Sequence, residues 1–191
     1  MGAIAYALSF SPWITYGAVS ASLTWRAGVY AALIVQVALA ASLSRRRELD
    51  ALSVGTLAFF GAMSAVALAS PHAAIHRWIA ALSAGALALI ALASLAVGQP
   101  FTLAIARRST PAALWDHPEF IRLNRFITSV WTVAFLAAAA GCSLAIALLR
   151  DDTAAIIGAN AVALLGAGYV THRSVKRAEA RAAAAGLMTS G

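Results

Sequence analysis

Charge is scarce in this sequence. Only 11% of its 191 residues are Asp, Glu, Lys or Arg, against roughly 25% in an ordinary soluble domain. Lysine is almost missing: thirteen of the fourteen cations are arginine and the other is Lys176, a bias that suits a GC-rich bacterial genome. Cys142 is the one cysteine, which excludes an intramolecular disulfide and a cysteine metal cluster. A lone thiol in an apolar run acts as a small hydrophobe. No Asp, Glu or Lys lies inside any long apolar run. Pumps and proton-coupled transporters keep an ionisable group at depth, and a retinal protein needs a membrane lysine. Both classes are disfavoured.

What is present is apolar: 62% of the residues are hydrophobic, with a mean hydropathy of +0.82. A water-soluble fold of this length has nowhere to bury so much apolar surface, so the solvent must be largely lipid. Six runs of spanning length follow one another, at about 3–24, 27–44, 51–70, 78–98, 126–149 and 154–172. A helix needs about 20 residues to cross hydrocarbon, and within it the backbone must bond inside each segment. The runs lack the alternation of a barrel strand. The expectation is an all-α polytopic membrane protein, a compact bundle of six transmembrane helices over residues 1–172, with a basic cytoplasmic tail at 173–191. Met1 to Ile4 shows no basic leader region, and Tyr6 occupies the position where a myristoylation signal has Ser or Thr.

The net charge of +7 does not signal nucleic acid. The cations sit in short clusters between apolar runs and form no stripe interleaved with aromatics. With six crossings, eleven of them (Arg45 to Arg47, the four arginines of the 99–125 loop, and Arg173, Lys176, Arg177 and Arg181 of the tail) share a side with the N-terminus. Arg26, Arg77 and Arg150 fall opposite. The positive-inside bias then puts both termini in the cytoplasm. Trp25 and Trp78, beside Arg26 and Arg77, read as interfacial anchors at the outer side.

The 99–125 connection carries more structure. Thr110-Pro111 and Asp116-His117-Pro118-Glu119 look like helix starts, and the helix from Pro118 is expected to continue into the fifth span. Phe101, Leu103, Ile105 and Ala106 before Arg107-Arg108 suggest a cytoplasmic interfacial helix at the headgroups, between the fourth and fifth spans. Small residues at four-residue intervals, from Ala137 through Gly141 to Ala145 and from Ala159 through Ala163 to Ala167, allow close helix approach.

Hydrolase elbows, HExxH pairs and phosphate loops are all missing, so nothing points to an enzyme, and no cofactor is expected. Gln36 and Asn160 lie at depth, with Tyr16, Tyr30 and Tyr169 nearer the ends. With Trp13 they are the candidates for lining a cavity. Interhelical hydrogen bonding is the plainer use of such amides. His72 and His76 would share a helix face, with Asp151 and Asp152 on the same side. A surface metal site there competes with simple solvation, and none is expected. None of the four histidines sits mid-span, which disfavours a haem. At the inner interface Arg107, Arg108, Arg122, Asn124, Arg125 and Trp131 are the candidates for holding a lipid phosphate or a partner's acidic patch, against simple snorkelling.

In the order of its features the chain resembles the bacterial intracellular septation protein A (YciB-like) inner-membrane family. The likeness lies in Phe10-Ser11-Pro12-Trp13 with Tyr16, Tyr30 through Gln36, the Arg45-Arg46-Arg47-Glu48 loop and Phe59-Phe60-Gly61. It continues through Ile75-His76-Arg77-Trp78, Gly98-Gln99-Pro100-Phe101 and Leu123-Asn124 before Trp131 and Phe135. The insert around Thr110-Pro111 and Asp116-His117-Pro118 departs from that pattern, and the Asn124-to-Trp131 spacing is about one helical turn longer. The resemblance implies a non-enzymatic role in cell-envelope maintenance and septation, through anionic lipids and other inner-membrane or division proteins. Trp13, Gln36, Trp78, Asn124 and Trp131 are the matching positions. A transporter or channel for a small or lipophilic solute is the alternative. Self-association is left open.

Overall fold

The computed structural model describes residues 2–46, 48–70, 74–149 and 152–184. Eight α-helices make up the described chain, and no strand occurs among the described residues. They are α1 (Gly2–Ser9), α2 (Ser11–Ser22), α3 (Trp25–Arg45), α4 (Ala51–Ala69), α5 (Ile79–Ala96), α6 (Phe101–Arg107), α7 (Pro118–Leu148) and α8 (Thr153–Ala184). Short 3-10 turns at Ala74–Trp78 and Ala112–Leu114 precede α5 and α7.

Five helical segments are long and apolar enough to cross a membrane: α3, α4, the 3-10 turn with α5, α7, and α8 as far as Arg181. The first run, expected as one span over about 3–24, is instead two helices that break at Phe10. Pro12 is the cause. Its missing N–H cannot bond the carbonyl one turn back, and the Ser11 hydroxyl takes that place by donating to Leu8 O at 2.7 Å. At a rise of about 1.5 Å per residue α2 alone measures about 18 Å, short of the roughly 30 Å of hydrocarbon.

Capping fixes where the others begin. Thr24 accepts from Ala27 N at 3.1 Å for α3 and Asp50 from Ser53 N at 2.7 Å for α4. The Asp152 carboxylate accepts from Ala154 N at 2.8 Å and from Ala155 N at 3.2 Å for α8. α7 starts at Pro118, after His117, and runs unbroken for 31 residues. α5 ends in a reversal: Gly98 takes φ +72°, a conformation that favours glycine. Gly98 N donates to Leu95 O at 3.1 Å and Gln99 N to Ser94 O at 2.9 Å.

Neighbours pack in the order α2, α3, α4, α5, α7, α8, while α6 lies against α7, α1 and α5. The expected surface segment is therefore inside. Phe101, Thr102, Leu103 and Ile105 of α6 are all buried, because α1 packs against them and supplies a protein partner where headgroups were expected. Phe101 and Ile105 join Leu52, Ala88, Ala91 and Phe135 in one core cluster, flanked by Tyr6, Phe10 and Trp131. A second, smaller cluster holds Ala81, Cys142 and Ile146. At the α7–α8 seam a Cβ built on Gly141 would lie 2.8 Å from that of Ala159, so glycine permits the approach. The basic segment from 173 onward begins as a continuation of α8, to Ala184.

Candidate functional site

Alternation of the helices brings the ends of α3, α6 and α8 and the starts of α4 and α7 to one end of the bundle. That end holds most of the charge. At its centre Arg108, just past α6, is only 17% exposed, and Asp50, which caps α4, is 6% exposed. The Arg108 guanidinium donates to Asp50 Oδ2 and, at 2.9 Å, to Ser9 Oγ at the end of α1. Its Nε lies 3.8 Å from Glu48 Oε2. One cation thus ties α1, the α3–α4 connection and α6 together. Asp50 does double duty, holding Arg108 with one oxygen and the first turn of α4 with the other.

The remaining inner candidates separate into two groups. Arg107 is half-buried, its guanidinium 5.6 Å above the Trp115 ring and 3.9 Å from Asp116. Arg122 pairs with Glu119 at 2.6 Å, both well exposed. Arg122 and Arg125 line an open groove of about 360 Å³ with Asp116, Pro118 and Ile121. Asn124 and Trp131 belong to the interior. Asn124 is buried, donates to Phe120 O at 2.9 Å, and its own carbonyl accepts from Thr102 Oγ1 at 2.9 Å. The Thr102 hydroxyl also lies 2.7 Å from that of Thr128, so a small polar seam joins α6 to α7. Trp131 stacks on Phe10 at 6.1 Å and donates from Nε1 to Thr171 Oγ1 at 3.1 Å, linking α7 to α8.

The residues considered for a cavity are spread over several seams. Trp13 sits on Phe59 and Phe60 at 5.1 and 4.8 Å and donates to Thr56 Oγ1 at 3.1 Å, bridging α2 to α4. Tyr16 lies 5.9 Å from Phe60. Gln36 is fully buried between α3 and α4, with Nε2 donating to Ser53 O at 2.7 Å. Asn160 donates to Cys142 Sγ at 2.8 Å and Ile156 O at 3.0 Å, between α8 and α7. Tyr169 is exposed beneath Arg173. The Tyr30 hydroxyl and Gln36 Oε1 are buried without a hydrogen-bond partner. A second open groove, about 330 Å³ and lined by α3 and α4 residues such as Val37, Ala41, Val54 and Leu57, is almost wholly apolar.

At the other end Trp25 stacks on His76 at 6.3 Å, and the Arg77 guanidinium lies 5.9 Å from the Trp78 ring. Arg47, His72, Arg150 and Asp151, which entered the charge and metal arguments above, lie outside the described residues. Among the described residues no three His, Cys, Asp or Glu side chains gather as a metal site would require. Sequence reasoning missed Ser9, Glu48, Asp50, Thr102 and Thr128. Of these only Asp50 carried a local signal, an acid at the N-cap of an apolar run.

No protein-family model matches the chain, and no curated protein or solved structure matches it either.

Proposed function

We propose that the chain is a non-enzymatic scaffold of the bacterial inner membrane, acting in cell-envelope maintenance and septation by holding anionic lipid and other membrane proteins. In this reading α1 and α2 together form the first of six crossings, and both termini are cytoplasmic. One observation carries it. Four polar side chains at depth each make a hydrogen bond between helices, Gln36 to Ser53 O, Asn160 to Cys142, Trp13 to Thr56 and Trp131 to Thr171, while exposed cations gather at one end. Side chains engaged between helices serve packing. Exposed arginines beside a bilayer attract anionic headgroups, at about 1 kcal/mol each.

A second reading has one observation in its favour. Tyr30 Oη, Gln36 Oε1, Ser64 Oγ and Ser83 Oγ are buried on α3, α4 and α5 without partners, as they would be along a path for a small neutral or lipophilic solute. Reconstitution separates the two. A scaffold gives glycerol uptake into proteoliposomes no faster than protein-free vesicles, and Gln36→Ala or Asn160→Ala leaves co-purifying phosphatidylglycerol unchanged. Arg122→Ala with Arg125→Ala then lowers that lipid several-fold. Protein-dependent uptake abolished by Gln36→Ala would establish the transport reading instead.

A further inference from the structure

The apolar part of α8 ends near Thr171, yet the helix continues to Ala184. Arg173, Lys176, Arg177 and Arg181 on this extension are all exposed. At about 100° per residue they fall on one side of α8, within about 140° of arc. Thr171, which bonds Trp131, and Asn160, which bonds Cys142, mark the opposite side, packed on α7. Elsewhere at this end three arginines already have acids: Arg108 has Asp50 and Glu48, Arg107 has Asp116, and Arg122 has Glu119. Among the described residues no carboxylate pairs with any of the four α8 cations. Glu179, the acid nearest them in sequence, borders the stripe on the Lys176 side, about 60° round the helix from Lys176, and lies away from Arg173, Arg177 and Arg181.

The same side stays open as it enters the apolar part. Val162 is 76% and Leu165 74% exposed, and a Cβ added at Gly158 or Gly166 would meet nothing within 4 Å. Three occupants are conceivable, and electrostatics chooses between them. Lipid phosphates lie within about 5–8 Å of the hydrocarbon edge. At about 1.5 Å per residue Arg173 stands about 3 Å beyond Thr171 and Arg181 about 15 Å. Side chains lean back toward the helix N-terminus, which brings Arg173 and Lys176 to the headgroups but leaves Arg181 above them. A second copy in the same membrane is related by an axis along the membrane normal, so it would set one cationic stripe against another.

Resting on the scaffold reading above, we infer that this side of α8 docks a different membrane protein, one whose transmembrane helix continues into an acidic cytoplasmic segment. The apolar helix lies along Gly158, Val162 and Gly166, and the acidic flank runs up Arg173, Arg177 and Arg181. Each exposed ion pair contributes a factor of about two in affinity, so three give about tenfold.

The test uses the full-length protein in phosphatidylcholine nanodiscs and a fluorescent synthetic peptide, an apolar leucine–alanine helix followed by a run of glutamates. The wild-type chain binds this peptide. Arg173→Glu with Arg177→Glu and Arg181→Glu weakens binding about tenfold or more and turns preference toward a lysine-flanked peptide. Because these side chains are exposed, thermal unfolding of the variant stays at the wild-type temperature. Arg→Gln at the same sites, which keeps helix propensity, gives an intermediate loss. Unchanged peptide affinity in the reversed variant overturns the inference. So does a reversal that alters only phosphatidylglycerol retention, which would assign the stripe to lipid, or one that alters only cross-linking between copies of this chain. Solute uptake into proteoliposomes would sink the scaffold reading without touching the peptide result, so the two failures are distinguishable.

Discussion

Arg108 shows what a single residue does in this protein. A guanidinium that is five-sixths buried needs acceptors on several sides, and it finds Asp50, Ser9 and Glu48. Removing one member of a buried pair strands the other, at about 3–5 kcal/mol when burial is complete; the residual exposure of Arg108 lowers this to about 2–3 kcal/mol. Arg108→Ala is therefore expected to lower unfolding stability by that amount, and Arg108→Lys to recover only part of it, because one ammonium cannot serve all the partners. Asp50 offers a finer dissection. Asp50→Asn keeps an oxygen for Ser53 N and loses only the ion pair, whereas Asp50→Ala loses the cap as well, about 1 kcal/mol more. Equal losses for the two would show that Asp50 does not cap α4. The cap had a local signal in Asp50 before an apolar run; the ion pair had none. Two arginines before a turn look alike in sequence, and only the fold turns Arg107 toward Trp115 while sending Arg108 to segments 58 and 99 positions away.

At the scale of elements, hydropathy located most of the helices. α3, α4, α5, α7 and α8 lie within two or three residues of their apolar runs or extend beyond them, because in lipid an apolar run of that length has no other way to satisfy its backbone. The same criterion hid the break at Phe10. Pro12 was in plain view, but a continuous apolar run outweighed it. The consequence is substantial: the break places Phe10 6.3 Å from Phe101 and 6.1 Å from Trp131. The burial of α6 was hidden for a related reason. A short apolar segment beside arginines looks interfacial unless another element covers it, and α1 does. The α7–α8 seam gives a sharp prediction. Gly141→Val should force α8 away from α7 and destabilise by about 1–3 kcal/mol. Gly168→Ala, where a Cβ meets nothing within 4 Å, should be neutral or slightly stabilising by helix propensity. Equal melting shifts for both variants would mean that the close approach at Ala159 carries no weight.

For the whole molecule the legible part was polarity. Counting cations by loop divided the chain into a basic end and a poor one, and within the basic set Arg108 joins the end of α1, the α3–α4 connection and α6. Candidate sites were harder to read, because a polar residue in an apolar run announces itself equally whether it joins helices or lines a path. Gln36 and Asn160 illustrate this: their amides are engaged across helix seams, and only geometry reveals it. The proposed orientation in the bilayer rests on charge alone and can be tested directly. In a background where buried Cys142 is replaced by alanine, single cysteines at Arg46, Ser109 and Glu179 would be challenged in intact cells with a membrane-impermeant maleimide, alongside one at Leu23. A basic end facing the cytoplasm requires Leu23→Cys to react from outside, and the other three to react only after permeabilisation. Labelling of Arg46→Cys and Glu179→Cys from opposite sides would contradict the six-crossing arrangement and the function proposed on it.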